Sequence, residues 1–520
     1  MIKKDLCEFS ESDDEKPLTR HIKDRKKLQS FEDDEEKNAF LKLKKNEDSD
    51  SPDNPLPIFE KFFTNEIVQE IVRCTNIFIE KSTRKYKNSS GFTNVDEIKA
   101  LLGVLILTAA MNENHFRTED IFNSEIHGSQ YVSCMSLQRF SFLVQNICFN
   151  DKDTEENESD PFSPMRNIWD LLMTQCRNNS ILGSNVTIDE ILVPFRGTCS
   201  FKMFLPDNEK KYGIKIMTMC DSSSYYMIDA MPYLGKYTKT DGCSASEFYI
   251  KELTKSIHGT KTNVTMKGNK LKPSIYLAEQ LLEKPYNLTM TSSVKASNKE
   301  IPKVLKRNTN RRIETPSFST VGAVIFMSYN LDSTTIRYLL STNEDKNAIL
   351  ENYNATKNSV VAFDQMCSDM SCKRKGNNWT TILFYHLINI VSVNSYILYC
   401  QNSRNDNRKP IQRRVFMNKL HADLANPWRK IRFGLSNMPR TVKNDILAVL
   451  NKQKKECPGI AKEKKQVPEG KRRACSMCHY KLNRKTRNVC KKCKQFICGQ
   501  HTASVCVVCA EDLVAMQIRH

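Results

Sequence analysis

The sequence has 520 residues, with 79 Lys or Arg against 60 Asp or Glu, so its formal net charge is +19. This length allows two to four domains, and the positive charge favours a polyanionic partner, nucleic acid before membrane. The N-terminus lacks the apolar run of a signal peptide. The longest apolar stretch, Ile382 to Cys400, is interrupted by polar residues, so we predict that it forms a buried core helix and that the protein has no membrane partner.

The first part of the chain changes from charged to amphipathic. Residues 1–54 carry many charges of both signs and few apolar residues, so we predict a disordered tail. Residues 55–158 show helical periodicity; for example, Ile67, Ile71 and Cys74 fall on one face. We therefore predict a helical domain over 55–158.

The next segment predicts a β-meander that carries acids. Asn185 to Gly197 is rich in β-branched and apolar residues, yet its interior holds Asp189 and Glu190. Two more short apolar segments, Lys211 to Asp221 and Tyr225 to Gly235, predict the other strands. A carboxylate inside an apolar strand is costly unless it meets a metal, a cation or a hydrogen-bond donor. An ion pair with Arg196 or a lysine is therefore an alternative to a metal site.

Helices and strands alternate after the meander. We predict a helix over 245–253, a strand at Asn263 to Met266 and a helix over 275–282. Two further strands are predicted, at 318–329 and 334–340, before the core helix at 382–400.

The meander and the motifs around it are similar to the piggyBac family of DNA transposases, from about Pro55 to the last cysteine pair. The matching segments are Thr187–Glu190, Phe195–Gly197, Lys211–Lys215, Met231–Gly235 and Phe363–Cys367. The resemblance implies an α+β fold with an RNase H-like core over 159–262 and 263–400, the second part holding inserted strands. It also implies a homodimer that binds transposon-end-like repeats in double-stranded DNA, with the helical domain helping to dimerise and to hold DNA.

The resemblance also implies three metal-binding aspartates, of which the sequence keeps one. Asp189 matches the first position. The second should follow the strand at 263–266, where the nearest stand-in is Asn269, and lysines including Lys267 add positive charge. The third falls on Val361, whereas Asp364 matches a further acidic position.

Two divalent ions would bridge the scissile phosphate, and they need converging carboxylates. Asp189 and Asp364 remain as a remnant, so we predict that the nuclease chemistry is lost and that magnesium binds only if catalysis survives. A misalignment over 263–275, or rescue by Glu190 or Asp369, is the alternative.

The range 401–474 holds 20 Lys or Arg against 6 Asp or Glu, and we predict a basic linker that contacts DNA. Basic residues also lie between the cysteine pairs that follow. The predicted DNA-binding residues are Arg413, Arg414, Lys419, Arg429, Lys430, Arg432, Arg484, Lys485, Arg487, Lys491 and Lys492.

The C-terminal segment 475–513 carries four ligand pairs, each with a two-residue gap, a spacing typical of structural zinc sites. The gaps between pairs favour a cross-brace with two zinc ions. One ion would take Cys475, Cys478, Cys498 and His501, and the other Cys490, Cys493, Cys506 and Cys509. The family's cysteine-rich domain, which recognises transposon-end DNA, matches pair by pair, although RING and PHD modules share similar spacings.

The chain holds 19 cysteines, which without a secretory signal favour free thiols and metal ligands in a reducing compartment. Basic clusters at 462–465 and 471–473 are similar to a bipartite nuclear import signal, so we predict the nucleus. The predicted function is a transposase-derived nuclear DNA-binding protein without cut-and-paste activity. An active transposase that integrates at TTAA targets and a zinc-module protein–protein adaptor are the alternatives.

Overall fold

The computed structural model describes residues 54–83, 91–151, 160–205, 211–240, 242–267, 271–306, 316–330, 335–456 and parts of 473–501. The predicted tail lies outside the described residues except for its last position. Asn269, Lys491, Lys492 and the second ligand set (Cys490, Cys493, Cys506 and Cys509) also lie outside them. The chain divides into two compact units, Met1–Gln453 and Lys454–His520.

The first unit begins with helices, as predicted for 55–158. Asn94 caps the third of them, since its side chain accepts a hydrogen bond from the Glu97 backbone N–H. An ion pair of 2.7 Å between Glu97 and Arg139 joins that helix to the sixth. The helices are α1 (Leu56–Phe59), α2 (Asn65–Thr83), α3 (Val95–Ala110), α4 (Thr118–Ile121), α5 (Ser124–His127) and α6 (Leu137–Asn146).

A mixed sheet of nine strands follows in the part of the chain that the structure describes. The strands lie in the order β4-β3-β1-β5-β6-β9-β8-β7, with β2 also pairing β3. The pairs β1–β5 and β5–β6 are parallel and the rest antiparallel. The strands are β1 (Asn185–Pro194), β2 (Met203–Phe204), β3 (Tyr212–Asp221), β4 (Met227–Pro232), β5 (Asn263–Met266), β6 (Thr289–Val294), β7 (Ser317–Val321), β8 (Val324–Asn330) and β9 (Ile336–Ser341). The predicted α+β class is confirmed.

The inserted strands extend this sheet. The segment predicted as one strand over 318–329 is a hairpin, because Gly322 adopts a φ of 58° and reverses the chain between β7 and β8. β9 then pairs with both β8 and β6, so the insertion continues the sheet.

Further helices accompany the sheet. They are α7 (Ser163–Asn178), α8 (Ala245–Thr254), α9 (Ile275–Leu282), α10 (Lys303–Lys306), α11 (Ala348–Thr356), α12 (Ser359–Asp369) and α13 (Trp379–Asn405). In the described chain, α13 is the one helix long and apolar enough to cross a membrane by length and composition. The rest of the protein buries 94% of its most apolar window, so core packing accounts for its composition.

The range 401–474 differs from the predicted basic linker. It contains α14 (Arg413–Phe433) and α15 (Arg440–Glu456), and α14 packs along α3. The two helices approach closely at Gly103, where a Cβ atom would lie 3.1 Å from the His421 carbonyl oxygen and 3.3 Å from the Leu424 Cβ. α14 therefore belongs to the N-terminal helical layer, and this corrects the linker prediction.

His421 joins these two helices by hydrogen bonds. Arg429 Nη2 donates to His421 Nε2 at 3.0 Å, so Nδ1 carries the proton and donates to the Gly103 carbonyl at 2.8 Å. Burial first, and then the charge of Arg429, lower the pKa of His421 to about 3. The imidazole therefore stays neutral in the folded protein at pH values where the unfolded chain takes up a proton.

We expect acid to weaken the fold through this histidine. Below the unfolded pKa near 6.5, only the unfolded state gains a proton, so the free energy of unfolding should fall by about 2 kcal/mol between pH 7 and pH 5. Urea unfolding at both pH values should measure this. His421→Asn, whose amide can still donate to Gly103, should lose about that much of the pH dependence. An equal fall in both proteins would show that His421 is not responsible.

Candidate functional site

Asp189 is paired with a lysine of the protein itself. Ile188 of β1 pairs with Met266 at the end of the parallel strand β5, so the residues that follow them, Asp189 and Lys267, are neighbours. The Lys267 Nζ atom lies 3.4 Å from Asp189 Oδ2, and the side chains are 28% and 11% exposed. The structure contains the ion pair with a lysine that the sequence left open as an alternative for this acid.

Glu190 points away from Asp189, because successive side chains of a strand face opposite sides of the sheet. It forms an ion pair with Lys215 of β3, and its side chain is only 2% exposed. The same lysine lies 4.6 Å from the centre of the Tyr233 ring. Glu190 therefore cannot replace a missing ligand beside Asp189, which corrects that alternative. Sequence reasoning missed Lys215, although its position diagonal to Glu190 across the predicted β1–β3 pair could have found it.

Val361, which the resemblance places at the third family position, has no ligand atom in its side chain. Val361 lies on α12 and is 51% exposed. Asp369, the proposed substitute, lies eight residues further along the helix, about 12 Å away at the α-helical rise. It is exposed and accepts a hydrogen bond of 2.5 Å from Gln365. Rescue by Asp369 is therefore excluded by its position as well.

Asp364 lies on the same helix, half-buried, in the layer that covers β1 and β3. The C-terminal end of α11, just before α12, meets β1, where the Thr187 hydroxyl donates to the Thr356 carbonyl at 2.8 Å. Burial raises the pKa of Cys220, and the charge of Asp189 adds to it. Burial also raises the pKa of Cys367, a neighbour of Cys220, and the charge of Asp364 adds to that shift. The two remaining acids therefore lie near one pair of buried thiols.

These residues do not fit a two-magnesium site. Such a site needs several carboxylates that converge on the ions. Here Asp189 already meets an ammonium group, Glu190 faces the other side of the sheet and Val361 has no oxygen ligand in its side chain. The repulsion between Lys267 and an incoming divalent ion adds to this deficit.

The second unit contains a cluster of sulfur atoms. Strands β10 (Arg473–Ala474) and β11 (Lys485–Thr486) form an antiparallel pair, and Cys475 follows the first of them. The Sγ atoms of Cys475, Cys478 and Cys498 all lie within 4.8 Å of one another. The short 3-10 turn Gly499–His501 follows Cys498, so the backbone of the predicted fourth ligand is adjacent.

The geometry of this cluster fits one tetrahedral ion. Cys478 Sγ lies 3.7 Å from Cys498 Sγ, whereas a disulfide would bring the sulfur atoms to about 2.05 Å. Four ligands at about 2.3 Å from a zinc ion lie about 3.8 Å apart along each tetrahedral edge. Three ligands predicted for the first ion are therefore brought together at a separation suited to a thiolate-bound metal.

Several predicted DNA-binding residues are internal instead. Arg429 is fully buried and donates to Ser133 Oγ at 3.0 Å and to the Gln130 carbonyl at 2.9 Å. Arg432 is 6% exposed and donates to the Val132 and Ser133 carbonyls at 2.9 Å. Both satisfy backbone carbonyls of the segment before α6, and this corrects their assignment as DNA contacts.

Arg413 is half-buried, and its Nη1 donates to the Met366 carbonyl at 2.6 Å. Burial lowers its pKa. Of the other predicted cations of α14, Arg414 is exposed, and Lys419 and Lys430 are half-buried. In the second unit Arg484, Lys485 and Arg487 are exposed, and the Arg484 guanidinium donates to the Gln500 side chain.

Comparison with known proteins gives consistent matches. The family model described as Transposase IS4 matches residues 54–396. The human PiggyBac transposable element-derived protein 3 is 24% identical over 188 residues, which are 36% of this chain and 30% of that protein. The human Chimeric ERCC6-PGBD3 protein is 24% identical over 188 residues, which are 17% of its length. The chain thus spans less than a third of the length of these curated relatives.

The fold of this chain is also similar to a solved structure over most of the length of both chains. It is a cryo-EM structure of a piggyBac transposase synaptic complex with hairpin DNA, with a TM-score of 0.72 and 37% sequence identity. The match covers 88% of this chain and 97% of that one.

Proposed function

Because the chain belongs to the piggyBac-type Transposase IS4 family, we propose that it is a nuclear protein that binds double-stranded DNA but no longer cuts it. The DNA would be repeats similar to transposon ends, bound by a homodimer. A similar chain, at 37% identity, is a piggyBac transposase in a complex with hairpin DNA, and this supports DNA as the partner.

The observation that carries the loss of cutting is the donor set around Asp189. The nearest charged partner of this carboxylate is Lys267, at 3.4 Å, which follows the strand after which the resemblance implies a second acid. A magnesium ion would have to displace the ammonium group and would then find one carboxylate where cleavage requires several.

The cysteine cluster supports a DNA-binding role for the second unit. Zinc is the ion that fits its ligands, and the proposal includes a second ion at Cys490, Cys493, Cys506 and Cys509. Structural zinc would hold the backbone that carries Arg484, Lys485 and Arg487, three exposed cations that can reach phosphates.

Binding to candidate terminal-repeat DNA tests this proposal. The full chain should bind with an affinity that falls steeply with salt, each phosphate contact adding about −0.9 to the slope of log K against log salt. A chain that ends at residue 456 keeps all of α15 and should lose most of this affinity.

Replacing Arg484, Lys485 and Arg487 with Gln should lower the slope by about 2 to 3. Lys346→Gln is a suitable control, because this exposed lysine follows Glu344 and Asp345. If the chain that ends at residue 456 binds as tightly as the full chain, the first unit is the DNA reader and the assignment to the second unit is wrong.

A further inference from the structure

A divalent ion in an RNase H-like site has two roles: it promotes the reaction, and it neutralises the charge of the acids that surround it. Asp189 is 11% exposed, so its charge would be costly without a cation close by. The resemblance implies aspartates that meet this need with a bound metal. In this chain Lys267 stands beside the acid.

We propose that Lys267 is a permanent counter-ion that takes the place of a metal at Asp189, so that this acid is neutralised, and the core is stable, without divalent ions. The residues that the resemblance implies as metal ligands have thus been exchanged for an internal ion pair. This inference goes beyond the proposed function, since it holds whether or not the chain binds DNA.

The register of the sheet fixes the pair. β1 and β5 are parallel over Asn185–Ile188 and Asn263–Met266, which leaves Asp189 and Lys267 as the next neighbours at the carboxyl edge. Met266 and Val264 are fully buried, so β5 is anchored just before the lysine. The ammonium group therefore reaches Asp189 from a fixed backbone.

The two partners should respond differently when either is removed. Lys267 is 28% exposed and can turn its charge to water when Asp189 becomes Asn. Asp189 is 11% exposed and keeps a poorly solvated charge when Lys267 becomes Met. We therefore expect Lys267→Met to destabilise more than Asp189→Asn.

Thermal unfolding of the full chain, in EDTA and in excess magnesium, tests the inference. The first unit of the wild type should unfold at the same temperature in both solutions, since the zinc ions that EDTA would remove belong to the second unit. Lys267→Met should lower the midpoint by about 2 °C or more. Lys267→Arg should retain the wild-type midpoint, and so should Lys272→Met, which removes an exposed lysine from the same segment.

The double variant Lys267→Met with Asp189→Asn separates charge from size, because it removes both charges, keeps the shape of residue 189 and shortens residue 267 by one atom. It should recover most of the midpoint that Lys267→Met loses. If Lys267→Met fails to fold, folding of the double variant supports the inference, and its failure overturns it.

Two results would contradict the proposal directly. The first is a wild-type midpoint that rises with magnesium and loses this response in Asp189→Asn, since that would mean a metal still binds the acid. The second is a Lys267→Met midpoint equal to the wild type, since that would mean the pair has no effect on the fold.

Discussion

A chain that ends at residue 412 is expected to lose its folded N-terminal helical layer, whereas one that ends at residue 456 should keep it. The reason is α14, which packs along α3 and buries Phe416, Leu420, Leu424 and Trp428. Each such side chain contributes about 1.5–3 kcal/mol, so removing four costs roughly 6–12 kcal/mol. That is comparable with the whole stability of a typical domain, about 5–15 kcal/mol.

The polar contacts of α14 add to this effect. Arg429 and Arg432 donate to carbonyls of the segment before α6, and those carbonyls would lose their partners. Hydrogen exchange of α3 in the two truncated chains measures the outcome directly. Fast exchange should appear only in the chain that ends at residue 412. Equal protection of α3 in both chains would show that α14 is dispensable.

The second large effect is expected at the cysteine cluster. Structural zinc contributes folding free energy on the order of 10 kcal/mol, so chelation should unfold residues 475–509. The first unit, Met1–Gln453, is a separate compact body and should keep its unfolding midpoint. Circular dichroism and hydrogen exchange before and after chelation check both statements.

Metal analysis checks the number of ions. We expect two zinc ions per chain, one lost in Cys478→Ser and the other lost in Cys490→Ser. Cys243→Ser is a suitable control, because Cys243 is a half-buried thiol in the first unit. Much less than two zinc ions per chain, or loss of both ions from a single replacement, would contradict the cross-brace.

The positions of the strands could be predicted from the sequence where their side chains are apolar, but not where the side chains are polar. The strand at Asn263–Met266 was predicted with its observed bounds, whereas β6 was missed. Its Thr291 and Ser292 are buried because their hydroxyls bond to Ser341, Asn263 and the Met266 carbonyl. Hydrophobic periodicity cannot detect a strand whose buried side chains are satisfied by partners distant in sequence.

The arginines of α14 show the converse limit. Their density predicted a basic surface, yet Arg429 and Arg432 are internal because unpaired carbonyls of another segment lie opposite them. Composition does not reveal which Lys and Arg side chains donate hydrogen bonds to acceptors within the protein and which face solvent. The position of Lys267 was easier to foresee, because parallel pairing of the two predicted strands places it next to Asp189.

Restoring the vacated acids is a demanding test of the site. Val361→Asp with Asn269→Asp would supply three carboxylates with Asp189, but Lys267 would still occupy the nearest position. We expect partial metal binding and at most weak nicking from this pair of changes. Adding Asp189→Asn should remove whatever activity returns.

The most direct test of the account is nicking of supercoiled DNA that carries candidate terminal repeats, in the presence of magnesium. We expect the unmodified full chain to bind this DNA and to leave it intact, as Asp189→Asn should. Magnesium-dependent nicking by the unmodified chain that Asp189→Asn abolishes would contradict it. That result would establish the alternative, an active transposase.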